Sequence, residues 1–300
     1  MKDVMSINYL AQCPSMECLD HGYVKLVDCM PRSIPDDEDS VDYAIAEAAR
    51  CSYQRGTKTI ADDKTLIRYL MRHQHTSPFE MIEFKFHMKL PIFVARQIIR
   101  TRTASLNELS GRYSEMPEEF YIPEDGDFRI QSVSNIQGSC GHLDKEKEEE
   151  IKTNIQDISQ KSFFIYKDHL DYGLCREQAR IVLPLNTYTE WYWKIDLHNL
   201  LHFLDLRCDS HAQKETREYA NAILALITPI VPWTIEAWED YSPYRGGMML
   251  TRQEVKAIKD MFLAHFRSDK CEYAAEDIKV KNLLEQKEWK EKAVRLGFKS

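Results

Sequence analysis

Strict alternation of apolar and polar residues in the segment Phe84–Leu90 constrains the fold more than any other feature of this chain. Apolar side chains stand at every second position of Phe84-Lys-Phe-His-Met-Lys-Leu90, which is the period of a half-buried β-strand. Residues 22–31 alternate in the same way, and residues 187–195 have the β-branched and aromatic content of a strand. The chain therefore needs a sheet with one covered face.

Helical periodicity accounts for most of the remaining chain, which indicates an α+β fold with a helical majority. We expect a helix-rich single domain with a small, mainly antiparallel sheet. The predicted helices cover residues 41–51, 62–74, 92–99, 144–172, 175–183, 197–209 and 212–228.

The predicted domain organisation has three parts. Residues 1–21 form an N-terminal lead-in, residues 22–240 the main domain and residues 241–300 a C-terminal helical extension. The polar residues 123–143 are expected to form a surface loop. A capping box at Thr251–Glu254 begins one helix of the extension, and residues 276–295 are expected to form another.

The composition is that of a water-soluble globular protein, with 43% apolar and 29% charged residues among 300. A net charge of −8 argues against a general nucleic-acid binder but leaves small anionic ligands open. The N-terminus lacks a signal-peptide pattern, and the longest apolar stretch, Ala222–Trp233, is too short to span a bilayer. Eight scattered cysteines form no Cys-x-x-Cys pair. We therefore expect a cytoplasmic protein with reduced thiols and neither a nucleic-acid nor a membrane partner.

The segment from Arg100 to Tyr113 concentrates three arginines within an acidic chain. Arginine presents a planar, permanently charged fork of donors that suits phosphate and carboxylate oxygens, so the segment suggests an anion site. A structural interpretation is equally compatible with these residues. Ser105 to Glu108 forms a capping box that could begin a helix, and Glu108 could pair with Arg112 at i,i+4 spacing.

The predicted helix 197–209 carries two different polar chemistries. Its leucines form one apolar arc, with His198, His202 and Asp205 along one edge and Arg207 at the opposite edge. Two imidazoles and a carboxylate could ligate zinc or iron, so a metal-dependent hydrolase is an alternative function. Histidines at a helix edge also serve as hydrogen-bonding groups, and the sequence lacks a His-Glu-x-x-His motif that would favour the metal.

Several of these segments together resemble the flavin-dependent thymidylate synthases. The hallmark of that family, Arg-His-Arg with a serine after seven further residues, stands here as Arg100-Thr101-Arg102 and Ser110. The resemblance covers roughly residues 22–240, with the segments in the family's order. The other matching segments are His75–Glu80, Pro91–Gln97, Asn107–Ser114, Ala179–Leu185, Leu206–Arg207 and Ser210–Gln213.

The resemblance implies reductive methylation of dUMP to dTMP. Methylenetetrahydrofolate would supply the carbon, NADPH the electrons and FAD the hydride relay. It also implies an α+β homotetramer in which several subunits build each active site. No metal is implied.

The resemblance further implies roles for particular residues. Arg207 would be the catalytic residue that stabilises the ionised uracil. The FAD contacts would be Ser77, Arg100, Thr101, Arg102, Glu108, Asp196, Leu197, His198 and His202. The dUMP contacts would be Gln97, Ile98, Ile99, Arg100, Glu108, Leu109, Ser110, Gly111, Arg112, Arg180 and Arg207.

The chain departs from the family pattern at four of these positions. Thr101 replaces the central histidine of the hallmark, and Asp196, His198 and His202 stand where relatives often carry Asn, Arg and Asn. These departures concern the FAD contacts. They keep open a second alternative, a nucleotide-binding relative that has lost catalysis.

Overall fold

The computed structural model describes residues 14–32, 34, 40–51, 60–133, 138–245, 247, 249–266 and 289. Within this range the chain divides into two compact units, Met1–Gly247 and Met248–Ser300. The strands are β1 (Ser15–Cys18), β2 (Gly22–Met30), β3 (Glu83–Pro91), β4 (Ser105–Glu108), β5 (Arg129–Gln131), β6 (Ser139–His142) and β7 (Tyr188–Asp196). The helices are α1 (Tyr43–Arg50), α2 (Ile60–Arg72), α3 (Ile92–Ile98), α4 (Lys145–Asp171), α5 (Arg176–Ala179), α6 (Leu197–Arg207), α7 (Lys214–Ile227), α8 (Pro232–Tyr241) and α9 (Arg252–Phe266).

A five-stranded sheet in the order β1-β2-β3-β7-β4 organises the first unit, and every neighbouring pair in it is antiparallel. Strands β5 and β6 form a separate two-stranded hairpin. The α+β fold with a small antiparallel sheet is confirmed. The alternation of β3 has the predicted consequence, because Phe84, Phe86, Met88 and Leu90 are all fully buried.

The main core lies between this buried face of the sheet and the helices that cover it. Trp193 of β7 is 1% exposed and packs edge-on against Phe203 of α6, with ring centroids 5.2 Å apart. Leu200 and Leu204 of α6 are fully buried in the same cluster. Burying such large apolar side chains contributes roughly 2 kcal/mol each. The core therefore holds α6 firmly against the sheet.

Three helix termini have the capping residues that the sequence predicts. Asp196 caps α6, since its Oδ1 accepts a hydrogen bond of 2.9 Å from the backbone N–H of Asn199. Gly173 follows α4 with a φ of +84°, a left-handed conformation that glycine adopts without steric cost. In the second unit, Thr251 and Glu254 exchange the hydrogen bonds of a capping box at the start of α9.

Three segments differ from the predictions. Residues 123–143, expected to form a loop, contain the hairpin β5–β6, and Ser15–Cys18 of the expected lead-in form an edge strand. The first unit extends beyond the expected boundary at residue 240, because Ser242 donates a hydrogen bond of 2.5 Å to Asp205. Apart from residue 289, the helix predicted for residues 276–295 lies outside the described residues. No helix among the described residues has the length and apolar character needed to cross a membrane.

Candidate active site

A cleft of 1060 Å³ opens beside the C-terminal end of α6. Its walls come from α3, the hairpin β5–β6, the start of α7 and the loop between α6 and α7. Arg207 and Gln97 both line it. The cleft therefore contains the predicted catalytic arginine and one of the predicted nucleotide contacts.

Arg207 is half-buried, and a hydrogen bond to the backbone of Gln97 holds its side chain. Its Nη2 donates a hydrogen bond of 3.3 Å to the backbone carbonyl of Gln97. Burial lowers the pKa of Arg207 from its ordinary value, although a guanidinium stays protonated in proteins. A fixed cation with most of its donors free is suited to an anionic or electron-rich ligand.

The side chain of Gln97 is also held in place. Thr216 Oγ1 donates to Gln97 Oε1 over 3.1 Å, and Gln97 Nε2 donates to Gln213 Oε1. Both partners stand at the start of α7. Arg207, Gln97 and this end of α7 therefore form one connected polar wall.

A second cavity, of 240 Å³, lies on the opposite edge of α6. His198 and His202 line it, together with His75, and Trp238 contributes an aromatic wall. The two polar edges predicted for this helix thus face two different cavities. This separation follows from the 3.6-residue period, which places Arg207 away from both histidines.

Asp205 does not form a metal site with these histidines. Its Oδ1 accepts hydrogen bonds from Trp238 Nε1 at 2.8 Å and Ser242 Oγ at 2.5 Å, so it links α6 to the end of α8. Across the described residues, no group of three His, Cys, Asp or Glu side chains has an arrangement that could hold a metal ion. The structure gives no support to the hydrolase alternative.

The arginine-rich segment is not a helix start. Residues Ser105–Glu108 form the edge strand β4, paired with β7, and Glu108 accepts a hydrogen bond of 2.8 Å from Thr189. Arg112 pairs with Glu177 at 3.2 Å rather than with Glu108. The helical interpretation of this segment is therefore wrong. The hydrogen-bonding edge of β7 competes successfully with a local capping box, because pairing satisfies several backbone groups at once.

Three arginines of the predicted site are exposed and carry uncompensated charge. Arg100, Arg102 and Arg180 make no ion pair within the part of the chain that is described. Gly111 lies against Arg180, since a Cβ at this glycine would come within 3.1 Å of Arg180 Cδ. The turn at Gly111 and the guanidinium of Arg180 thus belong to one surface, with Arg112 beside it.

The remaining predicted residues lie at different depths around these features. Ile98 and Leu197 are fully buried, so their side chains serve the core. Ile99 and Leu109 are 39% and 36% exposed. Ser77 is exposed, while Thr101 and Ser110 are half-buried. Asp196 uses both carboxylate oxygens on Asn199, at 2.9 and 2.7 Å.

Several cleft residues escaped the sequence analysis. Arg129 lies in a segment whose polarity predicted only a loop, and Glu215 lies in a helix whose apolar face dominated the pattern. An ion pair joins the two side chains inside the cleft wall. No local pattern reports a contact between residues 86 positions apart.

The cleft with Arg207, the smaller cavity beside α6 and the exposed Arg100, Arg102 and Arg180 lie on an α+β scaffold, and this chemistry suits an anionic ligand that contains a ring. Comparison with known proteins identifies which family this is. The family model described as "Thymidylate synthase complementing protein" matches residues 34–233. The chain belongs to the family of flavin-dependent thymidylate synthases.

Individual relatives agree with this assignment. The flavin-dependent thymidylate synthase of Dictyostelium discoideum is 53% identical over 240 residues, which cover 80% of this chain and 78% of the relative. The Thermus thermophilus protein of the same name is 50% identical over 243 residues, 81% of this chain and 84% of the relative. A crystal structure of the UMP/dUMP methylase PolB from Streptomyces cacaoi, bound with 5-Br dUMP, superposes with a TM-score of 0.67 and 30% identity. It covers 77% of this chain and 100% of that chain.

Proposed function

We propose that this protein catalyses the reductive methylation of dUMP to dTMP. In the balanced reaction, dUMP, methylenetetrahydrofolate, NADPH and one proton give dTMP, tetrahydrofolate and NADP⁺. The main support is the position of Arg207, a half-buried side chain that lines the large cleft and donates a hydrogen bond to the backbone carbonyl of Gln97. The named activities of the relatives support dUMP as the substrate.

Arg207 acts on the pyrimidine ring. Carbon C5 of uracil becomes nucleophilic when negative charge develops along the N3–O2 edge, and a fixed guanidinium stabilises that charge. Because the hydrogen bond to the Gln97 carbonyl orients Arg207 before the ligand arrives, little reorganisation is needed in the transition state. The methylene carbon then bonds to C5 and gives up its bonds to the folate nitrogens, so that tetrahydrofolate leaves, and C5 loses its proton.

The phosphate of dUMP is assigned to Arg112 and Arg180. Gly111 supports this assignment, because the missing side chain lets the backbone approach Arg180 closely. Arg112 pairs with Glu177 at exposed positions, and the phosphate would replace this carboxylate as its partner. The nucleotide would be lined by residues 97–100 and 108–112, with Arg207 at its pyrimidine end.

Two of the predicted FAD contacts, His198 and His202, line the small cavity, whose apolar and aromatic wall beside Trp238 suits the flat rings of the cofactor. Arg100 and Arg102 do not line this cavity; they make no ion pair among the described residues and would supply cations for the pyrophosphate. The residues proposed to hold FAD are Ser77, Arg100, Thr101, Arg102, Glu108, Asp196, Leu197, His198 and His202. When bound, FAD would relay a hydride from NADPH to the transferred carbon, which becomes a methyl group.

We further propose that the enzyme is a homotetramer with active sites shared between subunits. Helix α4 supports a second copy of this chain as partner, since it exposes 63% of Ile158 and 66% of Phe164 on a 27-residue helix. A cytoplasmic location is proposed because the described cysteines are free.

Two measurements test this function. Purified protein should show a flavin absorbance spectrum, whereas stoichiometric zinc or iron without flavin would indicate a different enzyme. Expression in a strain that lacks thymidylate synthase should restore growth without thymidine. Flavin binding without growth would identify a relative that has lost catalysis and would overturn the proposed activity.

A further inference from the structure

A chain of hydrogen bonds runs from Arg207 into the wall of the cleft and ends on a buried carboxylate. Arg207 donates to the backbone carbonyl of Gln97, and the side-chain amide of the same residue donates to Gln213. Gln213 Nε2 in turn donates a hydrogen bond of 2.7 Å to Glu215 Oε2. Glu215 is only 4% exposed. The family assignment gives no role to Gln213 or Glu215.

The carboxylate of Glu215 determines which end of the Gln213 and Gln97 side-chain amides donates and which end accepts. An ionised carboxylate can only accept hydrogen bonds, so it requires the NH₂ end of Gln213 to face it. The oxygen of Gln213 then faces Gln97, which must present its own NH₂. Thr216 agrees with this direction, since its hydroxyl donates to Gln97 Oε1.

Arg129 of the hairpin β5–β6 is the charged partner of this carboxylate. Its Nη2 forms an ion pair with Glu215 Oε1 inside the cleft wall. Asp127 lies 3.6 Å from Arg129 Nε and 2.8 Å from Lys214 Nζ, which extends the network to the first residue of α7. A buried carboxylate without such a partner would be strongly destabilised. The hairpin β5–β6 is therefore joined to the polar wall through the ion pair of Arg129 with Glu215.

We propose that Glu215, fixed by Arg129, is a positioning residue that orients Gln97 and, through the Gln97 backbone, Arg207. The inference rests on the proposed role of Arg207 in dUMP methylation. Glu215 does not need to touch the substrate. It keeps one N–H of Gln97 on Gln213, leaves the other for the ligand and holds the carbonyl that receives Arg207.

The test uses Glu215→Gln, a substitution that keeps the shape but can donate as well as accept. The side-chain amides of Gln213 and Gln97 can then adopt either of two orientations. The expected result is roughly a tenfold loss of kcat in dTMP formation, the scale of a small misplacement of a catalytic group, with unchanged FAD content. Arg129→Gln, whose side chain is 22% exposed, provides a second variant that should lose kcat in the same way.

Coupling to Arg207 distinguishes positioning from a general structural role. In an Arg207→Lys background, Glu215→Gln should reduce kcat by less than twofold, because its effect passes through Arg207. Losses that multiply would overturn the inference. Glu119→Gln is the matched control, since Glu119 forms a half-buried ion pair with Lys89 at 2.6 Å, and neither residue lines the cleft. Its kcat should equal that of the wild type.

A structural measurement separates this inference from the proposed function. Crystals of ligand-free Glu215→Gln protein should show a displaced Gln97 side chain and a longer distance between Arg207 Nη2 and the Gln97 carbonyl. An undisturbed Gln97 and Arg207 would overturn the inference whether or not the wild type methylates dUMP. Absence of dTMP formation by the wild type would instead overturn the proposed function.

Discussion

Arg207 combines partial burial with a permanent charge. Its guanidinium is half-buried and is tethered to a backbone carbonyl rather than to a carboxylate. A carboxylate partner would have neutralised the charge that an electron-rich pyrimidine needs. The site therefore keeps the electrostatic field of Arg207 available to the ligand.

Replacement of Arg207 by lysine tests this role. We expect Arg207→Lys to fold and to hold FAD, because the guanidinium lines a different cavity from the proposed cofactor site. Turnover should fall about a hundredfold, since lysine cannot hold the Gln97 carbonyl and the pyrimidine edge with one planar fork. Flavin content and dTMP formation measure the two effects. Near-normal turnover would remove Arg207 from the mechanism.

Three of the cysteines in the described part of the chain are not suited to nucleophilic catalysis. Burial raises the pKa of Cys208 to about 11 and that of Cys18 and Cys29 to about 12, which disfavours the reactive thiolate. Cys140 is exposed and lines the large cleft, so it is the thiol whose role needs a direct test.

Serine variants of two cysteines provide that test. We expect Cys140→Ser to keep its wild-type kcat, and Cys208→Ser to keep it apart from a loss of stability on the order of 1 kcal/mol from the half-buried thiol. Steady-state dTMP formation by FAD-loaded protein is the measurement. A stable, flavin-containing variant without activity would show that the mechanism includes a covalent thiol adduct.

Thr101 marks the clearest departure from the family hallmark. Arg100 and Arg102 carry the larger electrostatic contribution to FAD, and the lost imidazole amounts to about 1 kcal/mol, which is roughly a fivefold weakening of binding. Thr101→His should therefore raise FAD occupancy modestly, while Arg102→Ala should empty the site. Titration followed by flavin fluorescence measures both. An Arg102→Ala protein with full occupancy would exclude this arginine from the cofactor site.

At the scale of the elements, α6 could be predicted almost completely from the sequence. Its period places Leu200 and Leu204 inward and the two polar edges outward, and its cap is Asp196, as expected. Strand β4 could not be predicted in the same way. Ser105 and Glu108 satisfy a local capping rule, but the neighbouring edge of β7 decides the conformation, and that edge is more than 80 residues away in sequence.

The start of α8 illustrates a buried carboxylate whose titration affects folding. Asp42 accepts backbone hydrogen bonds from Trp233 at 2.8 Å and Thr234 at 3.2 Å, which caps the helix. Burial raises the pKa of Asp42 to about 6, above the value of about 3.9 for an exposed aspartate. The folded state therefore binds a proton between these values that the unfolded state releases.

The sign of the resulting pH dependence follows directly. Stability from Asp42 is fully present below about pH 4 and is lost as the pH rises through about 6. Relative to Asp42→Asn, which does not titrate, the wild type should lose free energy of unfolding between pH 4 and 6 and change little above pH 7. Urea unfolding of both proteins across this range measures the difference. A free energy of unfolding of the wild type that rises relative to that of Asp42→Asn between pH 4 and 6 would contradict the assignment.

At the scale of the whole molecule, the candidate site draws on residues from distant parts of the chain. The resemblance motifs identified Gln97, Arg180 and Arg207, because each stands in a short segment of recognisable order. The network that supports them was invisible, since Arg129 and Glu215 meet only after the hairpin folds against α7. Sequence patterns report which face of an element is buried, whereas the pairing of two polar side chains depends on the tertiary fold.

The central claim is that this protein converts dUMP to dTMP with a tightly oriented arginine and a flavin. The most direct measurement is dTMP formation by purified protein supplied with dUMP, methylenetetrahydrofolate and NADPH, followed as FAD is titrated. We expect turnover that rises with FAD occupancy and saturates with it. Saturating FAD occupancy with no dTMP formed would exclude the proposed reaction.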